Sequence, residues 1–147
     1  LRAGGFEDAD FDDADMIAIS PGIDRREPRV AAAIGRGVPV VGDVELFAQR
    51  LPAIGAPKVM AITGSNGKST VTAMAGDMCR AAGMRTVVAG NIGLPVLDAL
   101  AAIEDGGPAP EIFVLELSSF QLESTCSLHP DAAAMLNLTE DHLDRYD

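Results

Sequence analysis

Short apolar runs alternate with amphipathic stretches along the chain, and turn residues separate them. This is the pattern of βα units that feed a mainly parallel sheet. Residues 16–19 predict a short buried strand, stopped by Ser20, Pro21 and Gly22. Residues 28–36 predict a helix, with Pro28 near its start and Gly37 beyond its end, where each residue is best tolerated. Residues 38–41 predict the next strand, and Asp43 is placed to cap a helix over 44–51. Pro52, Gly55 and Pro57 then break the pattern, which predicts a connection between two sheets.

Beyond that break the alternation resumes. Strands are expected over 58–62, 85–89, 112–117 and 132–138, and helices over 68–82 and 94–103. Gly83 stops the first of these helices, and residues 105–110 form a surface loop rich in Gly and Pro. The fold class is therefore α/β, built on mainly parallel sheets.

Composition narrows the function. The 147 residues are 48% hydrophobic and 22% charged, as in a folded chain, and suffice for one domain or pieces of two. No apolar run approaches the roughly 18–20 residues that span a bilayer, so no membrane partner is expected. The net charge of −11, without a basic stripe, argues against nucleic acid, whose phosphates need neutralising. A phosphorylated small molecule remains compatible, because backbone N–H groups, one lysine and a metal ion suffice to hold it. Cys79 and Cys126 match no metal spacing and suggest no disulfide, so a reducing cytoplasm is the expected compartment. The chain starts without methionine and stops in a polar segment, 139–147, so it reads as cut at both ends.

The strongest local signal is Ile62-Thr63-Gly64-Ser65-Asn66-Gly67-Lys68-Ser69-Thr70. An apolar strand feeds a glycine loop that opens a helix. Successive N–H groups in such a loop form an anion cradle, and the helix N-terminus adds positive potential. Lys68 can reach the β- and γ-phosphates of a nucleotide, and Ser69 can offer its hydroxyl to Mg²⁺. Gly64 and Gly67 keep a Cβ out of the phosphate's way. The string departs from the G-x-x-x-x-G-K-[ST] spacing: Ile62 stands where the first glycine belongs, and Gly64 appears instead. A glycine turn with an exposed lysine is the bland alternative; the flanking strand and helix weigh against it.

Glu116 stands at the end of the apolar run 112–117. An ionised carboxylate there is costly unless paired or near a metal. Ligands of open α/β sheets gather at the carboxyl ends of strands, and Lys68 also follows such an end. The two could share one site, with Mg²⁺ between carboxylate and phosphate; an exposed edge or a helix cap is the alternative for Glu116. His142, in the acidic stretch 137–144, could ligate a metal through a neutral imidazole nitrogen or be an ordinary surface residue. Asn91, within Gly90-Asn91-Ile92-Gly93-Leu94-Pro95, follows another strand and suits either ligand contact or turn chemistry.

With these residues in view, Gly64-Ser65-Asn66-Gly67-Lys68-Ser69-Thr70 resembles the variant phosphate loop of the Mur ligases and folylpolyglutamate synthases. The strings at 90–95, 115–123 and 137–146, with Ser20-Pro21-Gly22-Ile23 and residues 42–47 upstream, resemble the Mur ligase branch that adds D-glutamate to UDP-N-acetylmuramoyl-L-alanine. The resemblance implies the end of a Rossmann-like, UDP-substrate-binding domain over 1–43 and part of a P-loop ATPase domain over 44–147. It implies ATP on the loop 64–70, one Mg²⁺ on Ser69 and Glu116, and a second served by His142. Lys68, Glu116 and His142 become the catalytic set. Asn91 and Ser118 face the muramoyl substrate, and Ser20 lies near its nucleotide part. A cytoplasmic monomer making peptidoglycan precursor is implied, with this fragment alone inactive. Two other readings stay open: a ligase of the same family with another amino acid, and a nucleotide-driven motor or switch.

Overall fold

The computed structural model describes residues 4–140. Its first sheet is small. Strands β1 (Ile17–Ala18) and β2 (Val40–Val41) pair in parallel and are joined through helix α1 (Pro28–Gly35). Glu27 caps α1, its carboxylate accepting from the Arg29 and Val30 N–H groups at 2.8 and 3.0 Å. Both strands are shorter than the apolar runs predict. Pro39 has no N–H to give to a ladder, so β2 begins only after it, although its carbonyl still accepts from Ile17. Phe11, Ile17, Ile19, Val30, Ala33 and Val40 make a core of their own.

Helix α2 (Asp43–Arg50) follows directly. Asp43 does not cap it, contrary to the expectation from sequence. Gly42 holds the N-cap position, Asp43 is the first helical residue, and its Oδ2 accepts instead from Gln121 Nε2 at 3.0 Å. A 3-10 turn over Leu51–Ile54 ends at Gly55.

The second sheet has four parallel strands in the order β4-β5-β3-β6: β3 (Lys58–Thr63), β4 (Thr86–Gly90), β5 (Ile112–Glu116) and β6 (Ala132–Met135). From β3 the chain runs through α3 (Lys68–Ala81) to the far edge at β4. It returns through α4 (Val96–Glu104) to β5, then crosses β3 by way of the short α5 (Ser119–Leu122) to β6. The strand order thus reverses beside β3, the kind of place where open α/β sheets leave a crevice.

Strand β5 is buried throughout, which explains its continuous apolar run. Phe113, Leu115 and the following Leu117 point to one face, packed with Val44 and Phe47 of α2 and Val96, Ala99 and Leu100 of α4. The Phe47 and Phe113 rings meet edge-on at 4.9 Å, and each such buried ring stabilises the fold by about 2–3 kcal/mol. Side chains alternate along a strand, so Val114 and Glu116 point to the opposite face, the side of α3. Strand β6 ends at Met135 rather than at 138. Leu136 still donates to the Thr63 carbonyl, but Asn137 then turns its polar groups onto the loop after β3 and leaves the ladder.

Candidate nucleotide site

Three strand ends lie side by side. Glu116 on β5 stands opposite Ile62 on β3 and opposite Gly90 on β4. The Leu117 N–H donates to the Ile62 carbonyl at 2.9 Å, and the Thr63 hydroxyl donates to the Leu117 carbonyl at 2.9 Å. These bonds fix the end of β3 just where the loop 64–67 begins.

The loop turns on Gly64, with φ of +138°, and opens α3 from Gly67. No side chain caps α3, so the N–H groups of its first turn are open to an anion. The Lys68 ammonium folds across the loop, donating to the carbonyls of Gly64 at 2.7 Å and Ser65 at 3.1 Å. The role expected of Gly64 shifts. A Cβ there would sit 3.1 Å from both the N and the O of Asn137, so the glycine admits the chain after β6.

A cleft of about 450 Å³ is lined by residues 65–70, Asn91, Ile92 and Glu116. Lys68, Ser69 and Glu116 therefore share one cavity, as the sequence predicted. Glu116 is 1% exposed. Its Oε1 accepts from Asn91 Nδ2 at 2.8 Å, while the Asn91 N–H donates to the Glu116 carbonyl at 2.9 Å. The close approach needs Gly90, whose φ is +112° and whose Cβ would collide with the Glu116 carbonyl oxygen. Glu116 Oε2 has no hydrogen-bond partner. Asp43 Oδ1 and Thr72 Oγ1 are the other such atoms among the described residues, and neither residue lines this cleft. A buried oxygen left unpaired costs about 1–3 kcal/mol, and a cation in the cleft would remove that cost. Ser69 lines the same cleft, and a hydroxyl with a carboxylate makes an all-oxygen donor set, which suits a hard ion such as Mg²⁺.

A second cavity of about 340 Å³ adjoins, sharing Ser65, Lys68 and Asn91 with the first. Ser118 lines it, with Phe120, Leu122, Met135 and Leu138. The Ser118 hydroxyl also closes a capping box on α5, accepting from the Gln121 N–H at 3.2 Å while Gln121 Oε1 accepts from the Ser118 N–H at 3.1 Å. Ser20 stands apart from both cavities, in a niche with Pro21, Phe120 and Ser124. His142 lies outside the described residues. Sequence reasoning assigned no role to Asn137, whose side chain grips the loop, because it placed the residue inside the strand expected over 132–138.

The family model for the Mur ligase middle domain matches residues 62–147, and that for the MurD-like N-terminal domain matches residues 1–42. The chain belongs to the Mur ligase family. Among Mur ligases, the UDP-N-acetylmuramoylalanine--D-glutamate ligase of Thiobacillus denitrificans is 59% identical, over 99% of this chain and 33% of that relative. The Chromobacterium violaceum ligase of the same name is 57% identical, over 99% of this chain and 32% of its own length. The chain thus spans about a third of the length of the curated relatives it matches. A solved Mur ligase, the UDP-N-acetylmuramate:L-alanyl-gamma-D-glutamyl-meso-diaminopimelate ligase from Neisseria meningitides, superposes with a TM-score of 0.55 at 22% identity. That superposition covers 99% of this chain and 48% of the other, and shows a common fold.

Proposed function

We propose that the full protein is an ATP-dependent ligase that joins D-glutamate to UDP-N-acetylmuramoyl-L-alanine through an acyl phosphate, in peptidoglycan synthesis. The observation that carries the catalytic part is the shared cleft: Lys68 on one wall, Glu116 with a free buried oxygen on another. The relatives' names carry the choice of substrates.

The substrate's terminal carboxylate attacks the γ-phosphorus of ATP and ADP departs. One anion attacks another, so the site must neutralise charge. Lys68 exchanges its loop carbonyls for phosphate oxygens, and the N–H groups of residues 64–70 cradle the phosphates. Ser69 and Glu116 hold Mg²⁺, which supplies further neutralisation, and His142 serves a second ion. Asn91 faces the muramoyl substrate with its carbonyl oxygen and its second Nδ2 hydrogen, the first being donated to Glu116. Ser118 faces the same substrate, and Ser20 its nucleotide part. The amine of D-glutamate then attacks the acyl carbon, phosphate leaves, and an amide forms. The domain division falls between residues 43 and 44, a reading supported by Val44 and Phe47, which pack on the second sheet. The protein works in the cytoplasm as a monomer.

Phosphate release by the full-length protein tests this. Release is expected only when ATP, UDP-N-acetylmuramoyl-L-alanine and D-glutamate are all present, and residues 1–147 alone should give none. Hydrolysis without the carboxylate substrate would point to a motor or switch, and incorporation of a different amino acid to another branch of the family.

A further inference from the structure

The Asn137 side chain bonds both main-chain polar groups of one residue in the phosphate loop, Asn66. Its Oδ1 accepts from the Asn66 N–H at 2.8 Å, and its Nδ2 donates to the Asn66 carbonyl at 2.8 Å. Its main chain adds a third link, with the Ser65 N–H donating to the Asn137 carbonyl at 3.1 Å. Two residues on, the Thr139 N–H donates to Ser65 Oγ at 2.9 Å. Gly64 makes room for this seam, as its missing Cβ shows. Loop residues 65 and 66 line the cleft that also holds Lys68 and Glu116.

We infer that Asn137 is a positioning residue for nucleotide: it holds the loop in its cradle shape before phosphate arrives. A loop of this kind left free must be ordered at the moment of binding, which weakens affinity. The pairing removes that cost in advance. It also ties the loop to the chain that leads from β6 toward residue 142, so a shift in either moves the other. Asn137 need touch neither nucleotide nor metal for this. The inference rests on the nucleotide reading above.

Equilibrium binding and steady-state kinetics of the full-length protein, wild type against Asn137→Ala, test it. The variant loses both exposed side-chain hydrogen bonds to the loop, so Kd and KM for ATP should rise about tenfold. KM for the UDP-linked substrate should stay within about twofold. A purely structural role would lower the amount of active protein, and hence kcat, with both KM values unchanged; that result overturns the inference. Amide exchange without nucleotide separates the contributions further. Both Ser65 and Asn66 N–H groups should be protected about tenfold in the wild type. In Asn137→Ala only Asn66 should lose protection, because the Ser65 bond goes to main chain. If the variant does not fold, wild-type exchange decides: Asn66 exchanging as fast as an unstructured peptide overturns the proposal. A wild type that binds no ATP removes the nucleotide reading and this inference together; wild-type binding with an unaltered variant removes the inference alone.

Discussion

Two buried glutamates sit in opposite circumstances. Glu45, on α2, is 4% exposed and every part of its carboxylate is engaged. Its Oε2 accepts from the N–H groups of Cys126 and Ser127 at 2.6 and 2.9 Å; its Oε1 accepts from the Ser127 hydroxyl and Gln49 Nε2 at 2.7 and 2.9 Å. Burial pushes this carboxyl up, but the hydrogen bonds to Cys126, Ser127 and Gln49 outweigh it and hold the pKa at about 2. Glu116 is buried as deeply and lines a cleft, yet only one of its oxygens is bonded. The first carboxylate is a clamp that closes the chain before β6 onto α2. The second is bonded through Asn91 alone, at the wall of the cleft. Depth of burial does not tell these two acids apart; how much of each carboxylate is bonded does.

The largest effect that sharpens this contrast is expected at the open site. Lys68→Ala in the full-length protein should lower kcat/KM of the proposed ligase reaction about a thousandfold while shifting the denaturant midpoint little. Activity retained within about tenfold, roughly 1.4 kcal/mol of barrier, would deny Lys68 its role. At the closed site, Glu45→Ala strands two backbone N–H groups and should cost about 2 kcal/mol of stability in urea unfolding. ATP affinity of the folded variant should stay within about twofold of the wild type; a large drop would show that the clamp reaches the cleft. The pH dependence follows from the lowered pKa. Glu45 stabilises the fold fully above its ordinary value of 4.5, and the contribution is lost as pH falls through about 2. The stability gap between wild type and Glu45→Gln should therefore be widest above pH 4.5 and shrink toward pH 2. Smallest of all, Ser118→Ala removes the cap of α5 and should cost about 1 kcal/mol, read from the thermal midpoint.

Local pattern carried the parts of the molecule whose causes are local. The loop 62–70 was legible because strand, glycine loop and helix are consecutive, and the placement of Glu116 followed from the apolar run that ends on it. The strand ends were not legible where a distant partner decides them. Asn137 leaves β6 because Asn66, 71 residues earlier, offers it a main-chain N–H and carbonyl. Glu45 finds its partners 81 and 82 residues later. No periodicity in a window of a dozen residues contains such pairings. Helix α5 is a different case. Its capping box, Ser118 with Gln121, was present in the sequence, but a four-residue helix shows no apolar period.

The central claim is that the unbonded oxygen of Glu116 awaits a cation brought with the nucleotide. Titration of the full-length protein with ATP, with and without Mg²⁺, tests it in the wild type and in Glu116→Gln. The account predicts that Mg²⁺ tightens ATP binding in the wild type and has little effect in the variant. Equal tightening in both proteins would contradict it.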